Sequence, residues 1–571
     1  MLARPDSMTG TNMLTRNLGS WRRSRNVRAI GVVAAVALVA SCSSSAKSAS
    51  SSGTSAGTSS KSTLVIVTPN DSITWALDGG IAGTVPGVEP SFNTQATLLR
   101  NPYVPGKTYS TLEEVPTSFE GYLASGYTVS PNGLTYTFKL RDAISAAGNH
   151  LTSEDVIWSY ERHFDTPTSV TPGVSMPVIT NVAQQFKAID AHTVSITISN
   201  AGYGITLLAL LADLTGQIYD STLLKQHATP SDPYAVKWSA NNPNYGFGPY
   251  EVENYQPGVQ TLLTANPNFV LGPPKIKNIL LKVVPDAGTR ANLVRDGDAD
   301  MAEGVLPADL LSLKSNPATK IGEVDDPNEY LEFPLVANKA PFNNTAVRQA
   351  MAYAVPYQQI IQNVYHGLAV RHGPSFLVRS APGYDGSGFT PFNYDPTLAK
   401  QMLAAAGYPN GVSYTLSVSS SEQDAIAAAI QIQTYAAPAG FKITIDQVPA
   451  AEYGTARQNK TFQAYLTDDF AITLTPSYEL GVYTAADGGN NLAAWYDPTF
   501  YAALAAGQAS SQPLSPATGV LWNAAERIFI NSAPIVFIAQ IQPDVAMRSD
   551  VDGFAWRSDN WVDYDNLSFG S

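Results

Sequence analysis

The chain has 571 residues, 44% hydrophobic and only 14% charged, with 47 acidic against 34 basic side chains and a formal net charge of −13. That length allows two or three domains, and the acidic balance disfavours nucleic acid and anionic lipid as partners of the folded part. One cysteine excludes an internal disulfide framework, so stability has to come from the core.

Arg16, Arg22, Arg23, Arg25 and Arg28 precede the apolar run Ala29 to Ala40, and Val39-Ala40-Ser41-Cys42 ends it. Basic region, short apolar core and small residues are the three parts of a secretory signal, and the run falls short of the roughly 20 apolar residues that span a bilayer. Without residues 1–41 the chain carries 28 basic and 46 acidic side chains, net −18. A lone cysteine is commonly a small buried hydrophobe. At the end of a signal core, in a four-residue ending that resembles the bacterial lipobox, Cys42 reads instead as a lipid-anchored N-terminus. Arg22-Arg23 lacks the apolar continuation of a twin-arginine signal. Residues 42–62 are nearly all small and polar and read as a flexible tether. Its Gly53-Thr54-Ser55-Ala56-Gly57 spells a nucleophile elbow, but that chemistry needs a strained strand-to-helix turn and a fixed histidine.

Leu64 to Val67 reads as a buried strand closed by a Pro69-Asn70-Asp71 turn. Between Gly133 and Phe164, Leu134, Tyr136, Phe138 and Leu140 alternate with polar residues as in a half-buried strand. Thr152 then caps a helix with Asp155 three residues on, Leu151 and Val156 are placed to staple it, and Ile157, Tyr160 and Phe164 share a face. A strand over 193–198 and an apolar helix near 207–214 follow. Gly246-Phe247-Gly248-Pro249 announces turns around short strands. Further on, 276–284 is strand-like and Arg290 to Gly297 helical. Asn344 or Thr345 caps a helix that Pro356 stops, with a second helix over 357–365. Asp395-Pro396 and Gly407 bracket another helix. A helix over 422–435, a strand over 442–448 and a buried strand at 533–537 complete an αβ alternation that predicts a three-layer lobe.

The segments GLTYTFKLR and LTSEDVIWSYER resemble, nearly residue for residue, the signature of the family 5 periplasmic solute-binding proteins, the dipeptide, oligopeptide and nickel receptors of ABC importers. Ala146, Ala147, Gly148 and Asn149 replace the family's Phe-His-Asp-Gly between the two halves. Gly246 to Val252 with Asn266-Pro267-Asn268, and YDPTLAKQMLAAAGYPNG, are similar to two further family motifs. The resemblance runs from about residue 63 to 571. It implies an α/β, two-lobed periplasmic-binding-protein type II fold with an extra accessory subdomain. Lobe I would comprise 63–102, 241–330 and 541–571, the accessory subdomain 103–240, and lobe II 331–540. It also implies a monomeric, exported receptor that binds a peptide or other small solute and hands it to a permease and ATPase, with no cofactor and no chemistry of its own. A secreted lipoprotein hydrolase and a solute sensor without transport are the rival readings.

Six histidines without metal-ligand spacing, and a cysteine assigned to the anchor, argue against a zinc site. Asp468 and Asp469 are neighbours on a strand and point to opposite faces, poor geometry for an acid/base pair but compatible with orienting a ligand. Peptide-binding relatives place an Asp against the ligand's amino group. The register of the resemblance puts Thr473 there, and a hydroxyl cannot serve as counter-ion to an ammonium. The same resemblance brings Trp75, Tyr330, Asn491 and Trp495 towards the ligand. Trp75 and Trp495 equally suit packing. Arg371 suits a ligand carboxylate, or a place in a solvent-facing loop.

Overall fold

The structure is a computed structural model that describes residues 61–71, 74–79, 85–377, 392–486 and 490–570. The signal-like segment, Cys42 and nearly all of the tether lie outside the described residues.

Thr63–Thr68 is a buried strand, with Leu64 and Ile66 wholly inaccessible, because an apolar run of this kind is stable only when covered on both faces. It lies in a seven-stranded sheet, parallel to Asn278–Val283 on one side and to Met301–Ala302 on the other. Ala546–Arg548, near the C-terminus, inserts antiparallel between Met301–Ala302 and Thr319–Ile321, so the chain's end completes the sheet of its beginning.

Ala124–Val129, Thr135–Leu140, Thr193–Thr197 and Phe186–Asp190 form a separate antiparallel sheet in that order. Tyr136, Phe138 and Leu140 face its core, as the alternation predicts. The helix Ser153–Asp165 starts where expected: the Thr152 amide and hydroxyl donate to Asp155 Oδ2 at 2.7 and 2.8 Å, and Leu151 and Val156 are both fully buried. Asp220 holds the divergent loop by accepting from Ser145 Oγ at 2.6 Å and Asn149 Nδ2 at 2.9 Å. The expected helix over 207–214 is displaced to Gly204–Leu210, because Asp213 accepts from the Thr215 amide and hydroxyl and turns the chain instead.

The second lobe pairs two sheets. Ala369–Arg371, Ile535–Ile541, Glu329–Pro334 and Thr467–Phe470 are antiparallel in that order, whereas Phe441–Val448, Val412–Ser419 and Ala464–Tyr465 are parallel. The parallel strands are linked through the helices Gln423–Ala436 and Ala450–Gln458, as the αβ alternation requires. Asn344 and Asp395 cap the helices Thr345–Ala354 and Pro396–Ala405 by accepting from Ala346 and Leu398 amides. Leu331, Phe333, Leu416, Val418 and Ile538 belong to one core beneath both sheets.

The chain crosses between the lobes twice, after Ile321 and after Ile541. The crossings are tied side by side: the Val324 amide donates to Gln542 Oε1, and Gln542 Nε2 returns to the Val324 carbonyl, both at 2.9 Å. Gln540 Nε2 donates to Asp326 and to the Pro327 carbonyl at 2.8 Å.

Candidate functional site

In both lobes the parallel strands end at the same place. Glu303 follows Met301–Ala302, and Asp544, just before the antiparallel Ala546–Arg548, lies beside it through a 2.9 Å bond from the Val305 amide to the Asp544 carbonyl. On the other lobe, Ser419 ends its strand, Ser421 and Glu422 form the turn into the next helix, and Thr467 follows Ala464–Tyr465. Between these carboxyl ends lies a cleft of about 590 Å³, the position where open α/β sheets ordinarily take ligands.

The lining is acidic. Glu89, Glu303 and Asp544 come from the first lobe, and Glu329, Glu422, Asp468 and Asp469 from the second or its crossing strand. Arg457, on Ala450–Gln458, is the cation among the described lining residues; its guanidinium donates to Thr467 Oγ1 at 2.9 Å. Tyr453, Phe470 and Trp556 supply aromatic wall.

So many carboxyls in one space hold their protons more tightly than usual. Burial, then Asp544, Asp424 and Glu422, pushes Glu329 up to about 8. Glu422 is raised to about 7 by burial and Asp424, against the pull of Arg457. Burial and then Glu89 raise Glu303 well above the carboxylate range, and burial with Asp424 and Glu329 does the same to Asp468. Glu303 is 3% exposed and lies against the Glu89 carboxyl, to which it donates a hydrogen bond when protonated. Asn560, 1% exposed, lines the same cleft with neither amide atom partnered among the described residues.

Of the residues expected at a ligand, Asp468 and Asp469 line the cleft. They reach it despite pointing to opposite faces because Thr467–Phe470 is an edge strand bordering the opening. The other six lie elsewhere. Trp75 is in the first lobe's core, edge-on to Tyr255 at 5.4 Å, with its carbonyl bound by the Tyr245 hydroxyl. Tyr330 is fully buried against His372 and Phe537. Arg371 donates to the carbonyls of His372, Phe392, Phe537 and Ile538 and lies 3.5 Å over the Tyr357 ring, so its fork is already filled. The Thr473 hydroxyl meets that of Thr475 at 3.4 Å, away from the cleft. Asn491 staples Trp495 through both ends of its amide, at 2.7 and 3.1 Å, and Trp495 packs on Phe500 and Phe529. Among the carboxylates that sequence reasoning missed, Asp544 carried a signal: it lies three residues beyond the apolar run Ile535 to Ile541, where a charge has no packing role. Glu303 follows only Met301-Ala302 and carried none.

The profile of the bacterial extracellular solute-binding proteins, family 5, matches residues 118–491. The heme-binding protein A of Haemophilus influenzae is 28% identical over 371 residues, 62% of this chain and 64% of that protein. A probable D,D-dipeptide-binding periplasmic protein of Escherichia coli K12 is 30% identical over 288 residues, 50% of this chain and 52% of its own. The matches to these two thus span about half to two thirds of the relatives' length. Among solved structures, an ABC transporter-associated periplasmic binding protein from Helicobacter pylori, in complex with the peptide STSA, superposes with a TM-score of 0.74 at 20% identity, covering 89% of this chain and 98% of that one. The fold is therefore the two-lobed type II periplasmic-binding-protein fold. With a profile match over well over half its length, the chain belongs to the bacterial extracellular solute-binding proteins of family 5.

Proposed function

We propose that this chain is the substrate-binding component of an ABC importer, holding a peptide or similar small solute between its lobes and passing it to a permease driven by an ATPase. The observation that carries the reading is the 590 Å³ cleft at the carboxyl ends of both lobes' strands, spanned by two crossing segments. Two lobes on paired crossings can close around a ligand by hinge motion. The relatives' names, which include heme- and dipeptide-binding proteins, support a solute as cargo. We propose the expected lobe limits, 63–102, 241–330 and 541–571 for lobe I, 331–540 for lobe II and 103–240 for the accessory subdomain, with one adjustment. The two crossings move to the segments after Ile321 and after Ile541, so that the strands Glu329–Pro334 and Ile535–Ile541 stay whole in lobe II. Anchoring through a lipid on Cys42 would keep the receptor, as a monomer, on the outer face of the membrane. Asp468 and Asp469 are proposed as ligand contacts.

Native mass spectrometry of the purified protein tests this directly. A bound solute that is lost on unfolding, and that raises the melting temperature when returned, is the expected result. Robust hydrolysis abolished by replacing one Ser, Asp or His would instead establish the hydrolase reading.

A further inference from the structure

The cleft sets seven carboxylates against one guanidinium, and Arg457 is already drawn to Asp469. Burying like charges together is unfavourable unless protons or a cation compensate them. An acidic cluster alone would say little, but a buried polar side chain beside it lacks a partner. Glu303, 3% exposed, meets the Glu89 carboxyl, so that two carboxyls share one proton at the first lobe's face. Asn560, 1% exposed, offers an unused donor and an unused acceptor in the same cleft. Groups this buried are almost always hydrogen-bonded, so Asn560 is short of a partner that a ligand would supply, and the shared proton of Glu303 and Glu89 is one a cation could replace.

Resting on the reading of this cleft as a solute site, we propose that its cargo is an organic polycation: a solute with at least two ammonium or guanidinium groups, one engaging Glu303 and Glu89 on the first lobe and another Asp468 and Glu329 on the second. The arrangement favours spaced charges over a metal ion. The carboxylates are divided between facing lobes, and among the described residues no three His, Cys, Asp or Glu side chains are grouped to hold a metal. Ammonium and guanidinium groups also suit the aromatic faces of Tyr453, Phe470 and Trp556. A cation bonded to both lobes would displace protons from the carboxyls it engages and hold the cleft closed by charge-assisted bonds on each side.

The test uses the full chain, stripped of solute by unfolding in urea, since guanidinium is itself a cation, and then refolded. Spermidine, Lys-Lys, Ala-Ala and Glu-Glu are titrated calorimetrically. Spermidine or Lys-Lys is expected to bind at least about tenfold more tightly than Ala-Ala or Glu-Glu, as charge-assisted hydrogen bonds require. Binding by spermidine alone identifies an oligoamine, and by Lys-Lys alone a basic peptide. Glu303→Gln and Asp468→Asn, each checked for native circular dichroism, are each expected to weaken the cation by about tenfold or more. Tighter binding of Ala-Ala or Glu-Glu, a neutral or anionic co-purified solute, or cation binding unchanged in both variants would overturn the polycation while leaving a solute receptor. No binding by any probe, together with no co-purified solute, would overturn both readings.

Discussion

Arg162 is fully inaccessible and donates from Nε and Nη2 to the two oxygens of Asp78 at 2.5 and 2.8 Å, joining the helix Ser153–Asp165 to the segment after the first strand. Burial alone would raise the Asp78 pKa, but Arg162 and His163 hold it well below the usual 3.8. The pair's contribution is therefore complete above that value and is lost only as pH falls into strong acid. Arg162→Met strands a buried carboxylate and should cost about 3–5 kcal/mol in urea denaturation, more than the double replacement Arg162→Met with Asp78→Leu. Glu329 has the opposite sign. Its folded pKa, about 8, lies above the ordinary 4.5, so the native state holds the extra proton and stability falls as pH rises between those values. Asp544, Asp424 and Glu422 face it, and Asp544 and Glu422 are themselves raised by burial. The melting temperature of the solute-free protein should fall from pH about 5 to 8, and Glu329→Gln should flatten that slope.

At the scale of elements, local chemistry and packing separate cleanly. The Thr152–Asp155 capping box is a short-range device that any fold containing this helix would use. Thr152→Ala should cost about 1 kcal/mol by denaturant titration. The Gly246-Phe247-Gly248 motif has a different cause. A Cβ on either glycine would stand 2.4 Å from the Thr94 backbone, and the Gly248 amide donates to the Thr94 carbonyl at 3.2 Å. The motif is small because another segment passes against it, and Gly248→Ala should destabilise by about 1–3 kcal/mol, read the same way. Strand alternation, caps and terminal glycines were legible because each depends on residues within one or two turns. Thr473 was placed at the ligand by register, Arg371 by its side-chain chemistry and Trp495 by motif resemblance, and the neighbours that hold Arg371 and Trp495 come from distant strands and helices.

For the whole molecule, the decisive feature is that two lobes meet along paired crossings with acidic faces opposed. A bound solute that contacts both faces should hold the lobes together, and its removal should let them part. Small-angle X-ray scattering is the check: the radius of gyration should fall when the stripped protein takes up its co-purified solute.

By itself the sequence determined the strands, the capped helices and the family, because periodicity, caps and motif wording are local and survive without coordinates. Only the tertiary structure decided what the cleft contains. Residues 89, 303, 329, 422, 468 and 544 are scattered over most of the chain and share no motif. They meet because the strands of both lobes end at a common face, and sequence spacing carries no trace of that convergence.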